Sequence, residues 1–235
     1  MSFCGPCQPS AAVLAFSGAI MLGTFPVFLF TSVQPLSDTL ATAWSLAAFY
    51  AALRSRGRPG WAVAAGAAFA LSVLVRPTNL LLAPALVVLF GGDWRRLAVF
   101  TLGGLPGAAW LAFYNHRLFG HVLQTGYGNI SEAFALAHGW PTTLHFAQWL
   151  ARLLPAIVLA LPFAALTRRE LRGRELLALA IAFGALAGCY LFYDVSHEVW
   201  WCLRFILPVV PALILAGLLG VEALARGPGS HWPSA

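Results

Sequence analysis

Long apolar runs separated by short polar loops make up most of the chain. The first run, residues 11–33, carries no charge and is long enough for a helix to cross about 30 Å of hydrocarbon. Apolar runs between Gly, Pro and charged residues predict eight spans: 11–33, 38–53, 61–75, 78–90, 97–113, 149–166, 176–193 and 203–225. We therefore expect an all-α, polytopic helical bundle that forms a single integral membrane domain over residues 1–235.

The apolar stretch 61–90 is interpreted as two spans. One Pro-kinked helix of that length would measure about 45 Å and would place Arg58 and Arg95 on opposite sides of the membrane. Two short spans keep both arginines on one side. The long connection 115–148 then lies on the other side, and residues 130–137 within it have the pattern of a short interfacial helix.

Composition agrees with this membrane assignment. The chain is 60% hydrophobic and 9% charged, with a mean hydropathy of +0.79, which leaves too little polar surface for a soluble globule. All 14 basic residues are arginine, and ten lie in the same set of loops or the tail: Arg54, Arg56, Arg58, Arg95, Arg96, Arg168, Arg169, Arg172, Arg174 and Arg226. The positive-inside rule places these loops and both termini in the cytoplasm. The positive charge thus reflects topology rather than nucleic-acid binding, and the arginine- and alanine-rich composition favours a bacterial inner membrane.

The loops of the opposite, outer side carry a different set of residues. They hold five of the six histidines, and Asp38, Arg76 and Arg204 lie at the predicted span ends. Ionisable groups near hydrocarbon are costly unless paired or hydrated, so these three are functional candidates. Asp38 could instead cap its helix, and the arginines could extend to lipid headgroups. Helix N-termini beside Arg76 and Arg204 would suit a phosphate.

Four stretches resemble, in order, the membrane-embedded C-type glycosyltransferases. The most similar branch is the one related to protein O-mannosyltransferases and aminoarabinose transferases. The stretches are PLSDTL at 35–40, VRPTNLLLAP at 75–84, FYN at 113–115 with LFG at 118–120 and TGYG at 125–128, and WW at 200–201 with RFILP at 204–208.

The resemblance implies an enzyme that transfers a sugar from a polyprenyl-phosphate donor to an acceptor at the outer face. Asp38 matches the second acidic residue of the family, at the start of a later span, and is the catalytic candidate, and Arg76 and Arg204 would bind the phosphate of the lipid-linked donor. The remaining candidates for substrate binding at the same mouth are Tyr127, His197 and Glu198. Some relatives use a divalent metal. The histidine spacing here offers no close ligand pair, so the sequence does not decide whether a metal cofactor is used. Membrane lipids are the other expected partner.

The chain also departs from the family pattern. No segment before residue 11 resembles the family's first span or the acidic outer loop that carries its principal carboxylate. We therefore expect roughly two spans to be missing and transfer by the chain as written to be impaired. Two alternatives stay open: a transporter, although we find no internal repeat and the charges lie at span ends, and a non-catalytic lipid-binding or scaffold protein. The pair Cys4 and Cys7 has redox-motif spacing but precedes a span rather than following a strand, which disfavours a redox role.

Overall fold

The computed structural model describes residues 9–124, 133–155, 158, 159, 162 and 173–225. These residues are helical apart from connections and one isolated bridge between Phe134 and Tyr193. The α-helices are α1 Pro9–Gly23, α2 Pro26–Val33, α3 Asp38–Arg54, α4 Trp61–Val75, α5 Ala83–Phe90, α6 Trp94–Phe119, α7 Gly139–Leu153, α8 Arg174–Tyr190 and α9 Val210–Ala225. Short 3-10 segments cover Pro77–Leu82, Leu136–His138, Asp194–His197 and Trp200–Val209. The expectation of an all-α fold is confirmed.

Within the described residues, two helices have the length and apolar composition to cross a membrane, Trp94–Phe119 and Trp200–Glu222. A third candidate exists if Ala12–Gly23 and Pro26–Val33, which are bent by 58°, form one broken span. Trp61–Val75 and Pro77–Phe90 are apolar but shorter. These two to three candidate spans are therefore compatible with membrane association. The eight spans expected from the sequence stay a prediction.

Three predicted boundaries differ from the structure. The run 11–33 is two helices, because Pro26 begins α2 and lacks the N–H that a continuous helix would use. Helix α6 continues to Phe119, so the connection after it starts later than residue 115. The amphipathic helix lies at Gly139–Leu153, since Thr142, Phe146 and Leu150 recur on one buried face. Of the expected helix 130–137, residues 130–132 lie outside the described residues, Ala133 is helical, and Leu136–His138 form a 3-10 turn.

Glycines hold α4 and α6 in close contact. A Cβ added at Gly66 of α4 would overlap the carbonyl oxygen of Phe100, and one added at Gly103 of α6 would overlap that of Val63. Gly107, one turn after Gly103, packs against Ala70 in the same way. Small residues at a spacing of four allow two helix backbones to approach closely. This contact fixes α4, whose last turn leads directly into Arg76.

The helices α3, α4, α5 and α8 alternate in direction and so have two common ends. At one, which we call the Arg56 end, Arg56 pairs with Glu175 at the start of α8, and the neighbouring Arg174 packs on Gly91 after α5. The opposite end, the Asp38 end, contains the start of α3, the turn after α4 and the 3-10 segment Trp200–Val209. The chain reverses at Arg76, so 61–75 and 77–90 are separate segments.

Candidate functional site

A buried ion pair occupies the Asp38 end. Asp38 is the first residue of α3 and is 1% exposed, and Arg76 is the residue that ends α4. Arg76 has an extended backbone, and Pro77 begins the next helical segment. This break turns the Arg76 side chain, which is 13% exposed, onto the Asp38 carboxylate. Removing either partner would leave the other charge buried and unpaired.

Arg204 adds a second guanidinium group to this pair. The guanidinium carbon of Arg204 lies 5.1 Å from the centroid of the Phe205 ring, and that of Arg76 lies 5.6 Å from the same centroid. Arg204 also lies 4.6 Å from the Trp201 ring and interacts electrostatically with Asp38. Its Nε atom is buried and has no hydrogen-bond partner within the described part of the chain. Two cations thus face one carboxylate, which leaves a positive charge for an anion.

Hydrogen bonds of Asn79 anchor the turn that carries Arg76. The backbone N–H of Asn79 donates to the backbone carbonyl of Arg76 at 2.9 Å. The side-chain Nδ2 of Asn79 donates to Ser72 Oγ at 2.6 Å and to Ser45 Oγ at 3.2 Å. The two serine hydroxyls also bond each other at 2.8 Å. All three side chains are buried between α3, α4 and the 3-10 segment. The sequence presents Asn79 only as part of the stretch 75–84, because its side-chain contacts join helices that are distant in the chain.

Aromatic rings hold Phe205 against the same turn. Phe205 stacks on Tyr190 with centroids 5.1 Å apart and meets the edge of Tyr193 at 5.3 Å. The Tyr190 hydroxyl donates to Thr78 Oγ1 at 2.9 Å. The ring that both guanidinium groups approach is therefore fixed from α8. The sequence likewise presents Phe205 only as part of the stretch RFILP, although its place directly after Arg204 was an available signal.

The structure describes two of the other three predicted site residues, His197 and Glu198. His197 stacks on His138, just before α7, with ring centroids 5.7 Å apart, and its Nδ1 is buried without a hydrogen-bond partner in the described structure. His145 of α7 bonds through Nε2 to the carbonyl of Val199 at 3.1 Å. Glu198 is exposed. Tyr127 falls outside the described residues.

The geometry also bears on the capping and metal hypotheses. Ser37 precedes α3 and makes no capping hydrogen bond through its side chain, while the carboxylate of Asp38 is directed at Arg76. Over the residues that the structure describes, no group of three or more His, Cys, Asp or Glu is placed to hold a metal ion.

No family model, curated protein or solved structure matches the chain.

Proposed function

We propose that the chain acts in the transfer of a sugar from a polyprenyl-phosphate donor, with Arg76 and Arg204 binding the phosphate. The observation that carries this proposal is the imbalance of charge at the Asp38 end, where two arginines share the Phe205 ring and Asp38 is the one carboxylate among the described residues that forms an ion pair with either of them. Arginine suits phosphate because its planar donors can bind two oxygens at once. The order of the four family-like stretches supports the same donor class.

Asp38 would serve as the base only after it leaves Arg76. The incoming phosphate competes for the Arg76 guanidinium and releases the carboxylate. The acceptor oxygen then bonds to the anomeric carbon, the bond from that carbon to the phosphate oxygen breaks, and Asp38 takes the acceptor's proton. The two arginines stabilise the charge on the polyprenyl phosphate that leaves.

The proposed setting is a bacterial inner membrane crossed eight times, with both termini in the cytoplasm. The arginine-rich loops support this topology. Within the described residues, Arg54, Arg56, Arg58 and Arg174 lie at the Arg56 end, and Arg95 and Arg96 begin α6 shortly after α5 finishes at that end. The Asp38 end would then face outward, where lipid-linked sugars are used.

A second candidate is a protein that binds the lipid phosphate without turnover. The burial of Asp38, at 1% exposure, and its pairing with Arg76 favour this alternative, because a base must reach its proton.

The test uses the purified full chain in nanodiscs with a polyprenyl-phosphate sugar. Arg204→Gln should weaken binding by about 10- to 100-fold, the range for a lost charge-assisted hydrogen bond. Arg152→Gln removes the same charge from α7, where Arg152 lies 5.0 Å from the Trp149 ring, and should leave binding unchanged. Arg76→Gln is compared with the Asp38→Asn/Arg76→Gln double variant, which removes both members of the ion pair and so does not leave Asp38 without Arg76, to separate misfolding from lost binding.

The outcomes separate the candidates. Release of polyprenyl phosphate with a glycosylated acceptor supports transfer, and binding alone supports the second candidate. If the unmodified chain binds no polyprenyl-phosphate sugar, both proposals are wrong, and solute uptake into vesicles would then favour a transporter.

A further inference from the structure

Helix α7 is apolar on two faces. One face packs into the protein through Thr142, Phe146 and Leu150, which are all buried. The other begins in the preceding 3-10 turn and points outward, with Leu136 85%, Trp140 71% and Leu144 51% exposed. These three residues recur every four positions and so form one stripe on the helix surface.

A polar strip runs beside this stripe. Gln148 and Arg152 are both exposed and follow Leu144 at the same spacing, but each step of four residues turns about 40° around the helix, so they lie on the flank of the Trp140 stripe. A helix with exposed polar and charged groups along one flank does not lie inside hydrocarbon, whereas an exposed stripe of Leu and Trp is unfavourable in water. At the boundary between lipid and water, the Leu and Trp stripe can contact lipid while the polar strip stays hydrated.

The apolar exposure is not confined to α7. Phe16 of α1 is 68% exposed, and Leu102 and Trp110 of α6 are 63% and 59% exposed. A single protein partner would cover one patch, whereas large exposed side chains on several helices indicate an apolar medium around the molecule. Of the two, a lipid bilayer is the occupant that this distribution of exposed side chains favours for the α7 stripe.

We infer that α7 lies in the headgroup layer of a phospholipid bilayer, with the Leu136, Trp140 and Leu144 stripe inserted among the lipids. This inference rests on the membrane location in the proposed function. It also has a consequence for the site, since α7 is attached to the segment before Arg204. His145 bonds Val199, and Gly139 lies against the Phe192 ring. Through these contacts, the depth of α7 in the bilayer would set the depth of Arg204 relative to the lipid phosphates.

Photocrosslinking of the full chain tests the inference. p-Benzoylphenylalanine replaces Trp140 or Leu144 on the stripe, Gln148 on the polar flank, or Leu102 in the middle of α6. Each variant is placed in nanodiscs of radiolabelled phosphatidylethanolamine and phosphatidylglycerol. We expect lipid adducts from positions 140, 144 and 102, and at least fivefold less adduct from position 148.

Three results would overturn the inference. Adducts at 102 but not at 140 or 144 would place α7 away from the lipid while leaving the proposed membrane location intact. Adducts at 140 with a second copy of the chain would make the stripe a protein interface. Absence of lipid adducts at every position, including 102, would remove the membrane location itself, and the proposed function with it.

Discussion

Two aspartates at helix starts have different roles in this protein. Asp93 precedes α6, and its Oδ1 accepts hydrogen bonds from the amides of Arg95 and Arg96 at 3.1 and 3.2 Å. Asp93 is therefore an N-cap. Asp38 is already inside its helix, and its carboxylate pairs with Arg76. The same residue type thus caps one helix and neutralises a buried cation at another.

This difference predicts opposite responses to the substitution of Asp by Asn. Asp38→Asn leaves the Arg76 guanidinium buried without a counter-charge and should lower the free energy of unfolding by about 3–5 kcal/mol. Asp93→Asn should lower it far less than Asp38→Asn does, since Asn caps as well as Asp and the ion pair of Asp93 with Arg96 that it removes is partly exposed. Denaturant unfolding in detergent micelles measures both. If Asp38→Asn is as stable as Asp93→Asn, Asp38 acts mainly as a cap.

Asn79 is predicted to position Arg76. Asn79→Ala removes two buried hydrogen bonds and should destabilise the protein by about 1–3 kcal/mol. It should also weaken binding of a polyprenyl-phosphate sugar, because the Arg76 turn loses its anchor. Asn115→Ala is the matched control, since Asn115 is buried in α6 and donates to the Val122 carbonyl at 3.1 Å. Equal losses of affinity in the two variants would contradict a positioning role.

At the scale of helices, the contact between α4 and α6 depends on the absence of side chains. Gly66→Ala places a methyl group against the Phe100 carbonyl, and backbone cannot move aside as a flexible side chain can. We expect a loss of about 1–3 kcal/mol from overpacking. Gly184→Ala in α8 is the control, because nothing lies within 4 Å of its added Cβ and alanine favours a helix. Unfolding in detergent should show Gly66→Ala less stable and Gly184→Ala equally or more stable than the parent.

The contact of α7 with the segment before Arg204 is predicted to weaken in acid. Burial lowers the pKa of His145 below its usual 6.5, and the nearby His197 lowers it further, while the bond to Val199 opposes both. A pKa that is lower in the folded state means that the unfolded chain binds more protons. The stabilisation is therefore complete above about pH 6.5 and is lost as the pH falls through the lowered pKa.

The measurement is the melting temperature at pH 7.5 and pH 5. His145→Gln keeps an N–H donor for Val199 but cannot gain a proton, so its melting temperature should fall less on acidification than that of the parent. His116→Gln, at an exposed site near the end of α6, should behave like the parent. A parental pH response in His145→Gln would show that His145 does not carry the effect.

At the scale of the whole molecule, charge placement predicted more than hydropathy did. The bounds of α3 and α4 match the predicted 38–53 and 61–75 closely, because Asp38, Arg54 and Arg76 mark their ends. Hydropathy alone failed at Pro26, where one apolar run became two helices, and at α7, where an amphipathic pattern was partly assigned to a loop. The structure brings Asp38, Arg76 and Arg204 together, as their predicted place on one side required. The roles of Phe205 and Asn79 depend on contacts between helices distant in sequence, which no local pattern encodes.

The two ends of the helices are predicted to face opposite sides of the membrane. Arg58→Cys, at the Arg56 end, and His121→Cys, after α6, are both at exposed positions and are introduced into a chain whose four native cysteines are serine. In intact spheroplasts an impermeant maleimide should label position 121 and should reach position 58 only after permeabilisation, because charged reagents do not cross the bilayer. Labelling of position 58 before permeabilisation would place the arginine-rich loops outside. The Asp38 end could then not receive a lipid-linked sugar at the outer face.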